Sequence, residues 1–402
     1  MKEEQNSKDS ILDVSCHICN KPALKVIPGY ERLCCVTSDC QPWPRGGRLC
    51  VCQACGCIQK VTDQAWQTET EQIYEAYTIY HQGEGAEQAV FEQDSGRASP
   101  RSARLLECLQ THTQLPETGR LLDIGCGNGG LLRTFSRLAP YWSLVGTELN
   151  DKYRAVVESI DRVEKLYTCN PDQVPGAFNL ITMVHVLEHI LDPKEFLVRL
   201  RHKLENNGLL VVEVPDHLQN PFDLLIADHC THFTTSTITW LIQSAGYEVI
   251  SAATDWVPKE LTVIAHQTSQ YEAEPGQQQP VRLESGFEST SRGLQWLEAM
   301  VTAARKLSQQ NHFGLFGTSI AATWLFGELE DSLKDSVKFF VDEDPQRAGK
   351  TYMGRPIYHP QQVPRGSHVF LALSPGLAET ISRRVARPGV KYHLLPLAST
   401  ED

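Results

Sequence analysis

Positive charge is in short supply: 37 lysines and arginines face 49 aspartates and glutamates in 402 residues, a formal net charge of −12. That balance opposes binding to a phosphate backbone, and no basic run with interleaved aromatics overrides it, so no nucleic acid is expected as a partner. Long apolar runs are missing as well. None approaches the roughly 20 residues that span a bilayer, and the opening MKEEQNSKDS carries no hydrophobic secretory core. The expectation is a soluble, cytoplasmic protein of two or three domains with no membrane partner. Cysteine is the exception to this plain composition, because nine of the 13 fall between Cys16 and Cys57. Such clustering in a chain without export signals favours metal over disulfides.

Two C-x-x-C knuckles stand in that stretch, Cys16 with Cys19 and Cys52 with Cys55. Each presents two thiolates to one tetrahedral ion, and sulfur ligands in this pairing suit Zn2+. Cys57 offers an alternative partner in the second knuckle, while Cys34, Cys35, Cys40 and Cys50 read as small buried hydrophobes. Four thiolates close the coordination sphere, so the metal is expected to be structural.

Residues 121–131, LLDIGCGNGGL, parse as strand, glycine turn and helix. Glycines belong in such a turn because a bare backbone takes unusual dihedrals and lets a ligand approach the main chain. Downstream, LVGTELN ends a second strand at Glu148, where folds of this kind set a carboxylate against ribose hydroxyls. A nucleoside-like cofactor is implied. The spacing is G-x-G-x-G rather than G-x-G-x-x-G, and Asp123 precedes the first glycine. That makes a poor pyrophosphate cradle, and a carboxylate there suits a cationic amino-acid group instead.

With Asp123, Gly125, Gly127 and Gly129 in this order, the sequence resembles class I S-adenosylmethionine-dependent methyltransferases. The resemblance continues through AFNLITMVHVLEHI (177–190) as the fourth strand and turn and LENNGLLVVEVP (204–215) as the fifth. It implies an α/β fold with a Rossmann-like core. It also implies cofactor contacts from Asp123, Gly125, Cys126, Gly127, Gly129, Glu148, Leu149, Asn170 and His185, with S-adenosylhomocysteine as product.

Three segments carry competing readings. His185-Val-Leu-Glu-His189 fits H-x-x-E-H, a zinc-peptidase pattern that needs both histidines on one helix. His185 ends a strand-like run, so the expectation is that it lines the cofactor mouth while Glu188 and His189 fix the turn. Asp228, His229 and His232 follow the fifth strand in NPFDLLIADHCTHFT. They read either as surface polar residues or as a site in which His229 is a general base. Upstream, Tyr74, Tyr77 and Tyr80 at helical spacing either pack on the main domain or, with His81, form a lid.

Residues 268–286 are polar and aperiodic and read as linker. Beyond them, FGLFGTSIAATWL and VKFFVDED repeat the strand, glycine turn, helix, strand pattern without the full glycine fingerprint. The expected division is a zinc-binding module at 1–62, a helical connector or lid at 63–112, the methyltransferase core at 113–268, a linker at 269–290 and a smaller Rossmann-like α/β domain at 291–402.

This order is similar to that of the zinc-containing sugar C-methyltransferase family, which alkylates keto-deoxysugar nucleotides. Cys16, Cys19, Cys52 and Cys55 fall on that family's zinc ligands, DHCTHF on its E-H-x-x-Y-F stretch with His229 on the catalytic histidine, and VDEDPQRAGKTYMGRPI on its D-x-N-P-x-K-x-G segment. Asp228 stands for its glutamate, Ile226 for its tyrosine and Arg347 for its lysine, and GTSIAATW lacks its lysine-glycine pair. The resemblance implies methylation of a small molecule such as a nucleotide sugar, with Asp228, His229 and His232 as the catalytic set. A different acceptor atom, or a non-catalytic cofactor-binding scaffold, are the rival readings. The sequence leaves monomer and homodimer both open.

Overall fold

The structure is a computed structural model that describes residues 11–12, 14–78, 87, 89–91, 98–268 and 284–395. Its N-terminal module has strands β1 (Ile11–Leu12), β2 (Leu24–Val26), β3 (Cys35–Val36), β4 (Pro42–Trp43), β5 (Leu49–Cys52) and β6 (Ile58–Lys60). The strand β5 is buried on both faces, and the two-residue alternation of a strand sends its side chains to two different cores. Leu49 and Val51 join a cluster shared with the C-terminal unit, whereas Cys50 and Cys52 join the cluster under the central sheet. The module is therefore wedged between the other two.

The connector contains α1 (Gln64–Ala76), the hairpin β7 (Ala89–Phe91) and β8 (Ala98–Pro100), and α2 (Arg101–His112). Asp63 caps α1 by accepting the Trp66 N–H at 3.1 Å. Tyr80 and His81, the outer part of the expected lid, lie outside the described residues.

The central domain runs β9 (Gly119–Ile124), α3 (Gly130–Leu138), β10 (Trp142–Thr147), α4 (Arg154–Glu158), β11 (Val163–Tyr167), β12 (Phe178–Val184), α5 (Pro193–Leu200), β13 (Leu204–Pro215), β14 (Thr231–His232), α6 (Thr235–Ser244), β15 (Tyr247–Ala253) and β16 (Glu260–Gln267). All but β14 form a seven-stranded sheet in the order β11-β10-β9-β12-β13-β16-β15. Pairing is parallel from β11 to β13, and β16 is antiparallel to both β13 and β15. The strand β9 reads as a continuous apolar run because both its faces are covered: Leu121 and Leu122 belong to opposite core clusters. The chain reverses direction across the sheet between β9 and β12, the switch point where open α/β sheets bind ligands at the carboxyl ends of their strands.

The strand β14 leaves this sheet and pairs antiparallel with β6, Thr231 opposite Gln59 and His232 opposite Ile58. It becomes the edge strand of the N-terminal sheet, β1-β2-β5-β6-β14. The reading of Asp228, His229 and His232 as surface polar groups is thereby overturned, since they are 0%, 2% and 1% exposed. Apolar neighbours enforce this burial, because Phe222, Leu224, Leu225 and Ile226 enter the core shared with the C-terminal unit.

That unit comprises α7 (Glu284–Ser308), β17 (Phe313–Phe316), α8 (Ile320–Glu328), α9 (Asp331–Lys334), β18 (Val337–Val341), β19 (Thr351–Tyr352), β20 (Arg355–Tyr358), β21 (His368–Leu371), α10 (Pro375–Arg384) and β22 (Lys391–His393). Its sheet is ordered β19-β20-β18-β17-β21-β22, parallel except for β19. One boundary differs from expectation: α7 starts inside the stretch read as linker. Tertiary contact replaces the missing periodicity there. A Cβ on Gly286 would lie 2.8 Å from the Gly56 carbonyl oxygen, so the helix begins flush against the second cysteine knuckle.

Leu225 is fully buried where all three modules meet. Leu225→Ala is expected to cost about 2–5 kcal/mol, read as a lower denaturant midpoint; an unchanged midpoint would show that this seam does not support the fold.

Candidate active site

The sulfurs of Cys16, Cys19, Cys52 and Cys55 lie within 4.8 Å of one another, with Cys16–Cys55 and Cys19–Cys52 at 3.5 Å. Each knuckle is closed by an N–H to C=O bond, Asn20 to Cys16 at 2.9 Å and Gly56 to Cys52 at 2.8 Å, with Asn20 and Gly56 at positive φ. Four convergent thiols on two rigid turns fit a tetrahedral soft-metal site. Cys57 does not take part; it points to the Ile58 carbonyl at 3.7 Å. Cys35 and Cys50 are simply buried, and Cys34 packs on the Gly327 carbonyl of α8.

The glycine turn joins β9 to α3. Gly125, Gly127 and Gly129 have φ of 67°, 57° and 81°, and a Cβ on Gly125 would come within 2.5 Å of Val186. Only glycine serves there. Glu148 closes the turn by accepting the Gly127 N–H at 2.5 Å and the Leu149 N–H at 3.1 Å. Asp123 accepts from the Thr182 hydroxyl at 2.7 Å. Burial pushes the Asp123 carboxyl up to about 7, with Thr182 opposing and Glu148 and Glu87 adding to it, and burial raises Glu148 as well. Neither acid forms an ion pair among the described residues, so two desolvated carboxylates flank the turn at the carboxyl ends of adjacent strands. The other residues expected here divide. The Cys126 side chain is buried in the core beside α3 and offers only its backbone to a ligand, whereas Leu149, 75% exposed, and Asn170 stand at the rim.

His185 takes a left-handed conformation, φ 54°, at the end of β12, and a 3-10 turn over Leu187–His189 follows. No helix carries both histidines, which removes the geometry that the H-x-x-E-H peptidase reading requires. Its Nδ1 lies 3.2 Å from Glu188 and its Nε2 3.4 Å from Glu260, with Arg101 of α2 also in contact. Burial opposes charge on the ring, but Glu260 outweighs it. With Arg101 opposing and Glu188 assisting, the imidazole is pushed up to about 10.

The histidine loop is organised by a residue that the sequence did not single out. Asp223 accepts the Nδ1–H of His229 at 2.7 Å and that of His232 at 2.6 Å, one per carboxylate oxygen. Although burial would raise it, His232 and His229 hold this carboxyl well below the usual range. The only signal for it in the sequence is an acid inside the apolar run FDLLI. With Nδ1 committed on both rings, the remaining nitrogen of each neutral imidazole is a lone-pair acceptor. Against the burial penalty, the Asp223 bond and charge raise His229, while burial lowers His232.

Asp228 faces elsewhere, accepting from Ser38 N–H at 2.9 Å and from its hydroxyl at 2.5 Å, so it anchors the loop to the cysteine module. His189 reaches the same centre: its Nδ1 donates to the Asp228 carbonyl at 3.0 Å beside the Tyr74 hydroxyl at 3.0 Å, and its ring stands edge-on to His229 at 4.6 Å. Tyr74 thus belongs to both the packing stripe and the site.

A family profile described as "Methyltransferase domain" matches residues 93–252. The chain carries a methyltransferase domain. Within it lie the glycine turn, both acids and the histidine loop. The mitochondrial ubiquinone biosynthesis O-methyltransferase of Schizosaccharomyces pombe is 32% identical over 100 residues, 23% of this chain and 36% of that protein. The trans-aconitate 2-methyltransferase of Variovorax paradoxus is 27% identical over 119 residues, 28% of this chain and 45% of that protein. This chain thus spans less than half the length of either relative. The structure of mitomycin 7-O-methyltransferase shares 16% identity over 42% of this chain and 53% of that one, with a TM-score of 0.36. Among the described residues, no helix is long and apolar enough to cross a membrane.

The buried Asp123 carboxyl gives a pH test. Its folded-state value, about 7, lies above its ordinary 3.8, so ionisation destabilises the cofactor-free protein progressively between those values. Asp123→Asn is therefore expected to be more stable than wild type at pH 8, by about 4 kcal/mol at most, with the difference narrowing toward pH 5. Thermal melts at the two pH values measure it, and a pH-independent difference would reject a buried titrating carboxyl.

Proposed function

We propose that the whole chain transfers a methyl group from S-adenosylmethionine to a small molecule. The observation that carries this reading is the pair of desolvated acids, Asp123 and Glu148, set without a cationic partner among the described residues around a glycine turn in the methyltransferase domain. A positively charged amino-acid nucleoside fits such a site, and a dinucleotide pyrophosphate does not. Asp123 lies where it can meet the cationic amino-acid end and Glu148 the ribose hydroxyls, with the Gly125–Gly129 backbone beneath and Leu149, Asn170 and His185 around the rim.

When bound, the cofactor supplies an electrophilic methyl on a sulfonium centre; the chain supplies alignment, exclusion of water and a place for a proton. His229 is the proposed base. Asp223 fixes the tautomer that leaves its other nitrogen bare and stabilises the charge that arrives with the proton. The bound sulfonium would supply the methyl group and be left as S-adenosylhomocysteine, and His229 would take up the proton that the acceptor gives away. Asp228 works from behind, holding the loop through Ser38. His232 presents a second imidazole from the other oxygen of Asp223.

For the acceptor, the cysteine module, the C-terminal α/β unit and the DHCTHF segment support a carbon beside the ketone of a nucleotide-linked deoxysugar. An oxygen acceptor is the alternative, supported by the name of the ubiquinone-pathway relative. Zn2+ is the proposed occupant of the four-cysteine centre, with a structural role.

Calorimetry is expected to show binding of S-adenosylmethionine and S-adenosylhomocysteine but not of nicotinamide or flavin dinucleotides, with a loss of tenfold or more in Asp123→Asn and Glu148→Gln. Dinucleotide binding in place of the sulfonium would overturn the assignment. On an acceptor identified by product mass, His229→Ala is expected to keep cofactor affinity and lose about 10²–10⁴-fold in turnover. Full turnover in that variant would end its role as base.

A further inference from the structure

We propose that the chain holds a second metal site, distinct from the four cysteines, in which Glu188, His189 and His229 take one divalent transition-metal ion. Donor atoms of these three residues lie within 4.8 Å of one another, with Glu188 and His229 buried and His189 half-buried. The hydrogen bonds decide what each has to offer. The Nδ1 of His229 is committed to Asp223 at 2.7 Å. The Nδ1 of His189 faces three oxygens, the Asp228 carbonyl at 3.0 Å, the Tyr74 hydroxyl at 3.0 Å and the Asp228 carboxylate at 3.6 Å, so it carries the hydrogen. Neither ring's Nε2 has a hydrogen bond among the described residues, so each is left as an acceptor. One Glu188 oxygen accepts from His185, while the other is buried with no hydrogen-bond partner among the described residues.

One nitrogen of each ring and one Glu188 oxygen lie within 4.8 Å of one another, and with both Nδ1 atoms committed and a Glu188 oxygen stranded, the set suits a cation held through the Nε2 atoms. It has the outer support found at metal sites, where a ligating imidazole donates its other N–H to a carboxylate or a backbone carbonyl. Asp223 plays that part for His229 and the Asp228 carbonyl for His189. The loop is tied to the turn by the Cys230 N–H to the Glu188 carbonyl at 2.8 Å and by the Cys230 thiol to the same carbonyl at 3.2 Å. A tetrahedral ion about 2.1 Å from each donor needs them about 3.4 Å apart, so a modest contraction closes the site and leaves one position open.

The other nearby grouping, Asp223 with His229 and His232, is already satisfied by two short N–H to carboxylate bonds and needs no ion. Imidazole with one carboxylate selects a metal of the zinc, cobalt or nickel type over magnesium or calcium. Binding does not depend on the function proposed above, but its consequence does: an ion on the bare nitrogen of His229 occupies the lone pair that would accept the acceptor's proton. The ion-bound protein is therefore switched off for methyl transfer.

The test uses the full chain with its four-cysteine centre loaded with zinc, titrated with Co2+. One further equivalent of cobalt is expected, with visible d–d bands and no thiolate charge-transfer band. Its affinity is expected to drop at least tenfold in Glu188→Gln and in His189→Ala, while the zinc content and calorimetric S-adenosylmethionine binding stay as in wild type. The near-isosteric Glu188→Gln keeps the test open if His189→Ala fails to fold. No cobalt uptake, uptake with thiolate bands, or uptake unchanged in Glu188→Gln would each overturn the site. Loss of S-adenosylmethionine binding by the wild-type protein would instead strike the function proposed above and leave this site standing.

Discussion

A two-residue strand pairing holds this architecture together. Thr231 and His232 run antiparallel to Ile58 and Gln59, so the segment that carries the candidate base is the edge of the cysteine module's own sheet. Further bonds cross the same seam. The Lys60 N–H donates to the Cys230 carbonyl at 2.9 Å, His17 Nδ1 bonds the Thr231 hydroxyl at 2.8 Å, and the Lys60 ammonium meets the Ile226 carbonyl. His17 lies between the two cysteines of the first knuckle. Whatever closes the four thiols therefore also fixes the register of the histidine loop, and a one-residue slip would turn His232 away from Asp223.

Burying that loop has an energetic cost that explains its internal economy. Asp223, Asp228, Glu188, three histidines and Lys60 are withdrawn from water in a small volume, and unpaired polar groups there would cost several kcal/mol in total. The chain pairs them instead: Asp223 with two imidazoles, Asp228 with Ser38, Lys60 with a carbonyl. The atoms left over are few, and they are chemically alike. His217 shows the same logic, since its Nδ1 donates to the Phe233 carbonyl at 3.0 Å and its Nε2 is buried without a hydrogen-bond partner among the described residues.

How much of this was legible in the sequence depended on the range of the interaction responsible. The strands β13 and β16 are visible as apolar runs bounded by glycine, proline and acid, because both their faces are covered and the pattern is local. The positive-φ glycines of the turn were legible for the same reason. The start of α7 was not, because it depends on Gly286 fitting against Gly56, more than two hundred residues away in the chain. Asp223 went unread because its role exists only once two histidines six and nine residues on fold back to it. The choice between surface and site for Asp228, His229 and His232 was likewise undecidable until β14 found β6.

The same long-range logic explains why three modules are needed for one site. A class I core alone presents its cofactor turn at the end of β9, but the segment after β13 would then be an exposed loop, free to solvate its histidines. Here, Phe222, Leu224 and Leu225 are drawn into the core built by α7 and α8, and β14 is drawn onto β6. Pulled from both ends, residues 223–232 have no solvated alternative, and the imidazoles keep the tautomers that Asp223 dictates. In the proposed reaction the flanking modules would thus act through tautomer and position, without either one having to touch the cofactor.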